Sequence, residues 1–199
     1  MLGHLTLTME PLATQTMNST RNKINNGVVT FPASSNPQVI SGTVHENITM
    51  GAVEQSEKRA QEILMRCGGR SLMGSLGAGL DTRIGEEGHV LSYGESQRIC
   101  IARTLFREAC IYLFDEPTAP LDGPTEHEFA IALSELKQER PQAIALLASH
   151  RLSTVLLADW VLVLEQGQLA EQGSPKELWA KGAAFYDLFA EQIPKGFTS

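Results

Sequence analysis

None of the six lysines in the sequence (Lys23, Lys58, Lys137, Lys176, Lys181 and Lys195) follows a glycine. The pattern GxxxxGK[ST], whose backbone N–H groups wrap phosphates while its lysine pairs their charge, is therefore absent. Gly74 to Gly79 does not replace it, because that stretch offers no cation; it reads as a flexible connector. No apolar run reaches the roughly 18 to 20 residues that a bilayer-spanning helix needs, since even Thr154 to Leu164 is broken by Asp159. Any membrane role must be borrowed from a partner. Met1 to Leu12 lacks a basic start and carries Glu10 where a signal peptide needs an apolar core, so export through such a signal is not expected. The three cysteines, Cys67, Cys100 and Cys110, form no CxxC and cannot all pair, which excludes a disulfide framework and zinc spacing. They are expected to be reduced and mostly buried. Basic charge is short as well: sixteen Lys and Arg against twenty-three Asp and Glu leave a net −7, the wrong sign for a surface that grips nucleic acid throughout.

What is present suits a packed core. The 199 residues are 42% hydrophobic, enough for one ordinary domain or two small ones. The first forty residues are poor in charge, with a short strand expected at Leu5 to Met9 and a turn at Asn25-Asn26-Gly27, and otherwise read as loops. Apolar residues near helical spacing predict an amphipathic helix from Ala52 to Cys67, ended by Gly68-Gly69. Gly74 to Gly88 holds five glycines and reads as a loop, and a helix is expected from near Gly94 through Leu105. Cys110 to Phe114 and Ala143 to Ala148 are short, nearly continuous apolar runs, as strands buried on both faces of a parallel sheet require. A helix over Thr125 to Glu139 separates them. Trp160 to Leu164 reads as a third strand, Gln166-Gly167-Gln168 as a turn leading to Leu169-Ala170-Glu171, and Pro175 to Glu191 as a C-terminal helix. This alternation predicts an α/β core with helices packed on a parallel sheet.

One strand ends in chemistry. Ile111-Tyr112-Leu113-Phe114 is followed by Asp115 and Glu116, and open α/β sheets bind ligands at the carboxyl ends of their strands. There Asp115 can hold Mg²⁺ through oxygen or water, and Glu116 can orient a nucleophilic water. Taken alone, the same residues also describe a strand that ends in a solvated acidic turn.

A series of blocks narrows the reading. Leu91-Ser92-Tyr93-Gly94-Glu95, Gln97-Arg98, Ile101-Ala102-Arg103, Asp115-Glu116-Pro117-Thr118-Ala119-Pro120-Leu121-Asp122 and Ser149-His150-Arg151-Leu152-Ser153-Thr154 follow in that order. In order and spacing they resemble the nucleotide-binding domain of ATP-binding cassette (ABC) proteins over about residues 24 to 189. Gly42 to Ile48 and Thr82 to Gly88 resemble segments of the exporter branch, the second being similar to its X-loop beside the transmembrane coupling helices. The resemblance implies a P-loop NTPase-like ABC cassette with a parallel sheet core and a helical subdomain, whose first strands and P-loop are missing. The expected division is 1–41, a core remnant with a degenerate Q-loop; 42–106, the helical subdomain with X-loop and signature motif; and 107–199, the α/β core with Walker B, D-loop and H-loop.

The same resemblance implies roles for single residues. Asp115 would be the magnesium-associated acid, Glu116 the general base and His150 the switch histidine that reaches the γ-phosphate. Ser92, Gly94 and Glu95 would belong to the signature loop, which caps ATP held by the opposite subunit, and Asp122 to the D-loop. Ser92 and Gly94 stand where a helix begins, and its N–H groups and dipole suit an anion, although an ordinary capped helix reads the same way. Departures from the family pattern are Tyr93 in place of the usual glycine, Ala119 and Pro120 in the D-loop, and Ser35 where the Q-loop glutamine falls, with Gln38 out of register. The implied function is the ATP-binding, ATP-hydrolysing part of an ABC exporter, with ATP and Mg²⁺, a transmembrane partner and a second nucleotide-binding domain, at the cytoplasmic face of a membrane and without nucleic acid. Two alternatives are a non-catalytic half-site that lends its signature loop to ATP on a partner, and a soluble ABC-type ATPase of DNA maintenance or translation.

Overall fold

The computed structural model describes residues 5–9 and 28–31 by their backbone, and residues 37–52, 54–86, 88–119 and 121–192 with their side chains. Six strands make the main sheet: β1 (Leu5–Met9), β2 (Val28–Phe31), β5 (Ile111–Asp115), β6 (Ile144–Ala148), β7 (Trp160–Glu165) and β8 (Gln168–Gly173), in the order β2-β5-β6-β1-β7-β8. The turn expected at 25–27 lies outside the described residues. β5 pairs in parallel with β2 and β6, whereas β1 is antiparallel to both β6 and β7, and β8 is antiparallel to β7. It follows that β2, β5, β6 and β7 all run one way. The two apolar runs, β5 and β6, pair in parallel as expected and form a parallel core with β2, while β1 and β8 run against their neighbours, so the whole sheet is mixed. At the β7–β8 turn Gln166 and Gly167 both adopt positive φ, as a tight hairpin requires.

A small antiparallel pair, β3 (Gly42–Thr43) with β4 (Arg83–Ile84), brackets the helical part. Here α1 (Val44–Thr49) opens with a capping box between Thr43 and Glu46. The helix expected from Ala52 starts later, as α2 (Glu57–Arg66), because the Ser56 hydroxyl accepts the Arg59 N–H and caps it. Gly68 takes a left-handed conformation (φ 76°) and ends that helix, but Gly69 begins another, α3 (Gly69–Ser75). The stretch from Gly74 to Gly79 is therefore not a loose connector: Leu72, Leu76 and Leu80 are buried and pin it.

The central helix α4 (Tyr93–Phe106) buries Ile99, Cys100, Ile101, Ala102, Leu105 and Phe106. α5 (Gly123–Glu139) covers β5, with Phe129 edge-on to Phe114 at 5.6 Å. Arg103 ties α4 to α1 and to the strand entry: its Nε donates to the Asn47 carbonyl (2.6 Å), Nη1 to the Gln38 carbonyl (2.9 Å) and Nη2 to Asn47 Oδ1 (2.9 Å). After β6 come α6 (Leu152–Val155), β7 and β8. The expected C-terminal helix is split into α7 (Pro175–Lys181) and α8 (Ala184–Phe189), because Gly182 turns left-handed (φ 63°) between them. Among the described residues the buried apolar side chains form two clusters, one running from α1 to β6 and one joining Val155, Val161 and Val163 to Leu178, Phe185 and Phe189. Cys67, Cys100 and Cys110 are free, and the first two are buried.

Candidate functional site

β5 packs under α5 through Phe114 and Phe129, and its carboxyl end carries the acids. Asp115 closes β5 in register with Ala148 of β6 and is exposed. Glu116 then turns sharply, with φ +47°, a left-handed value that a non-glycine residue adopts only when its surroundings hold it. What holds it is the Glu116 N–H donating to the Ala148 carbonyl at 2.9 Å and the Ala119 N–H donating back to the Glu116 carbonyl. The turn aims the side chain across the sheet edge, where Glu116 Oε1 lies 2.7 Å from His150 Nδ1. His150 is 64% exposed and Glu116 30%, so the pair faces outward from the sheet. Glu116 Oε2 is buried without a hydrogen-bond partner, an orphan oxygen beside an exposed carboxylate.

The loop after β6 is braced from three sides. Arg151 donates Nη1 to the Thr118 carbonyl (2.6 Å) and Nη2 to Glu126; Ser153 also bonds Glu126; and the Thr118 and Thr154 hydroxyls meet at 2.7 Å. Gln192 brackets the histidine itself, donating Nε2 to the His150 carbonyl (2.7 Å) and accepting the Leu152 N–H (2.8 Å). Sequence reasoning assigned no role to Arg151, Thr118 or Gln192. For Gln192 no local signal exists, since its partners lie some forty residues away.

The start of α4 is a second locus. Ser92 is the N-cap: its hydroxyl accepts the Glu95 N–H at 3.3 Å, and Glu95 Oε2 accepts the Ser92 N–H at 2.8 Å. Burial works to raise the Glu95 carboxyl, but the Ser92 N–H and hydroxyl outweigh it and hold the group below its usual range. Tyr93 occupies the first helical position, 43% exposed, and Gly94 the second. One turn on, buried Gln97 donates to the Pro117 carbonyl (3.1 Å) and Arg98 to the Thr125 hydroxyl (2.8 Å). The first bond joins the helix start to the loop that follows Glu116, and the second joins it to the first turn of α5.

Asp122 stands as N-cap of α5, its carboxylate accepting the Thr125 N–H at 3.0 Å and held below its usual range by Thr125. The structure therefore brings Asp115, Glu116 and His150 together, and sets Ser92, Gly94 and Glu95 at the start of α4 and Asp122 at the start of α5. Ser35 and Pro120 lie outside the described residues. The side chain of Gln38 is exposed, while its carbonyl is held by Arg103 and the Cys100 thiol.

Among the described residues no group of three or more His, Cys, Asp or Glu forms a metal cage. The exposed carboxylate of Asp115 at this edge fits a cation of the magnesium kind, which keeps waters and phosphate oxygens as its other ligands.

A strand-end acid pair at the carboxyl edge of an α/β sheet, with a histidine from the next parallel strand, defines an α/β core built for chemistry at that edge. The chain belongs to the ABC transporter family, whose model matches residues 2–119. It is 34% identical over 192 residues to the ATP-dependent lipid A-core flippase of Salmonella paratyphi A, covering 96% of this chain and 31% of that protein. Identity to the flippase of the same name from Coxiella burnetii is 38% over 161 residues, 80% of this chain and 27% of that one. A bacterial Atm1-family ABC exporter solved with ATP bound superposes with TM-score 0.71 at 34% identity, over 85% of this chain and 29% of that chain. The chain spans about three-tenths of the length of the curated relatives it matches.

Proposed function

We propose that residues 1–199 are part of the ATP-hydrolysing cassette of an ABC exporter, coupling ATP hydrolysis to transport across a membrane. The observation that carries this reading is the Glu116–His150 pair, with an orphan carboxylate oxygen, at the carboxyl edge of the sheet. Glu116 takes the proton of the attacking water, and His150 orients Glu116 and faces the terminal phosphate. Mg²⁺ bound with ATP would neutralise phosphate charge beside Asp115. Ser92 and Gly94 present the start of α4 to ATP bound on a second cassette, and Asp122 shapes the turn between the two loci. The cassette would work at the cytoplasmic face of a membrane, beside a transmembrane domain or subunit and a second nucleotide-binding domain; no helix among the described residues is itself long and apolar enough to cross a membrane. The net charge of −7 argues against nucleic acid as a partner.

The missing GxxxxGK[ST] favours a second reading, in which this chain is a half-site that serves ATP held elsewhere. Mixing the chain with an intact cassette whose own signature loop is disabled tests it. Rescue of hydrolysis that saturates with added chain, and that Ser92→Arg abolishes, supports the half-site. Equal rescue by Ser92→Arg, or no rescue at any concentration of folded chain, contradicts it.

A further inference from the structure

Helix α6 (Leu152–Val155) follows the His150 loop directly, yet its own sequence does not cap it: Arg151 stands at the N-cap position and its side chain makes no bond to the helix start. The first N–H groups of a helix have no partner within it. The Leu152 N–H finds one forty residues away, in Gln192 Oε1 at 2.8 Å, while Gln192 Nε2 donates to the His150 carbonyl at 2.7 Å. One side-chain amide thus holds the backbone on both sides of Arg151, donor against carbonyl and acceptor against N–H, as a neighbouring strand would. Among the described residues neither backbone group has another partner.

The other braces of this loop act elsewhere. The Arg151 guanidinium reaches Thr118 and Glu126, Ser153 reaches Glu126, and Thr154 meets Thr118. They hold side chains against α5 and the loop before it, and leave the His150 peptide to Gln192. The His150 ring has one polar partner, Glu116 Oε1 at 2.7 Å, and at 64% exposure it gains little from packing. Its direction therefore depends on its backbone. What holds Gln192 in turn is the smaller buried cluster, where Phe185 and Phe189 of α8 stack with ring centroids 5.1 Å apart beside Val155 of α6. The single turn Ala190–Gln192 that follows α8 brings the amide back over the loop.

We propose that Gln192 is a positioning residue for His150: carried by α8 and its buried cluster, its amide clamps the His150 peptide and so keeps Nδ1 on Glu116. A carboxylate only accepts, so Nδ1 carries the proton in this pair, and an unpaired imidazole is not held to that tautomer. Loss of the clamp leaves the loop attached through Arg151 and Thr154, but frees the His150 peptide to turn and its ring to leave Glu116. That the clamp serves ATP hydrolysis rests on the proposed function; the clamp itself does not.

The test uses the 199-residue chain without nucleotide. Native-state hydrogen exchange is read at single amides, and the histidine ring nitrogens are followed by NMR at about pH 8, above the ordinary imidazole range. Gln192→Ala speeds exchange of the Leu152 amide about five- to tenfold, as loss of one hydrogen bond does. It also moves the His150 ring nitrogens to their values in Glu116→Ala, which removes the ring's partner, while those of His45, His89 and His127 stay in place. Gln192→Glu separates the two bonds. Its carboxylate still accepts the Leu152 N–H, so that amide keeps its protection, but it offers the His150 carbonyl no donor, so the ring nitrogens move as in Gln192→Ala. A tether that only fastens the C-terminal helices gives faster exchange confined to α8 and the turn after it, with Leu152 and the His150 ring unchanged. That result, an unmoved His150 ring in Gln192→Glu, or loss of protection across both buried clusters overturns the proposal. If the clamp behaves as stated and His150→Ala leaves hydrolysis unchanged in a cassette with its phosphate loop in place, the proposed function fails while the clamp stands.

Discussion

Glu116 Oε1 and His150 Nδ1 meet at 2.7 Å across the ends of β5 and β6, with Glu116 held in a left-handed turn of φ +47°. In a cassette with its phosphate loop in place, Glu116→Gln keeps ATP affinity and lowers steady-state turnover on the order of 10²-fold or more, as loss of a general base does. Unchanged hydrolysis returns Glu116 to a structural role. His150→Ala, which removes the partner that orients Glu116, lowers turnover by about the same order, and the double variant falls little further because the two act as a unit.

The buried contact between the Thr118 and Thr154 hydroxyls braces the loop that carries His150. Thr118→Val leaves the Thr154 hydroxyl buried and unpaired, costing about 1–3 kcal/mol in denaturant unfolding. Thr118→Val with Thr154→Val recovers part of that loss, since removing both partners leaves no orphan. A double variant as unstable as the sum of the singles would show that the contact contributes nothing.

Arg103 places three donors on three acceptors, the Asn47 carbonyl, Asn47 Oδ1 and the Gln38 carbonyl. Arg103→Lys offers one compact ammonium for this fork and is expected to destabilise by about 2–3 kcal/mol, nearly as much as Arg103→Ala. Chemical denaturation of both variants checks this, and a silent Arg103→Lys would contradict it.

Among the described residues four carboxyls lie below their ordinary values. Burial opposes the shift at Glu95, where the Ser92 N–H and hydroxyl prevail; Arg140 lowers Glu108, Thr125 lowers Asp122 and Ser174 lowers Glu177. A folded value below the unfolded one gives stability that is present above the unfolded value and is lost as pH falls through the folded one. Thermal midpoints should therefore hold steady near neutrality and fall below about pH 4.5. Glu95→Gln flattens that acid slope without shifting its onset upward; a slope that steepens would contradict the capping box as its source.

Much of the site was legible because its residues sit in contiguous blocks: Asp115-Glu116 at the end of an apolar strand, His150 after the next, and Ser92 three residues before Glu95 at a helix start. Elements with a long pattern were legible too, α4 and α5 to within a few residues. Short ones were not. β2 offers only Val-Val-Thr-Phe, and α1 has six residues, although its Thr43-x-x-Glu46 box is a readable start signal. The strand at Leu5 to Met9 was legible as a strand but not its direction or neighbours, since alternation encodes a face and not a partner. Contacts across long separations, Gln192 to His150 and Arg103 to Gln38, leave no trace in local sequence.

On the proposed function, this chain carries the catalytic edge of an ATP site without the phosphate grip. Calorimetric titration of Mg-ATP into the isolated chain, beside the same chain extended by a strand–GxxxxGK[ST]–helix segment, tests it most directly. The isolated chain should bind at least tenfold more weakly than the extended one, a loss of about 1.4 kcal/mol or more. Low-micromolar binding by residues 1–199 alone would contradict the claim.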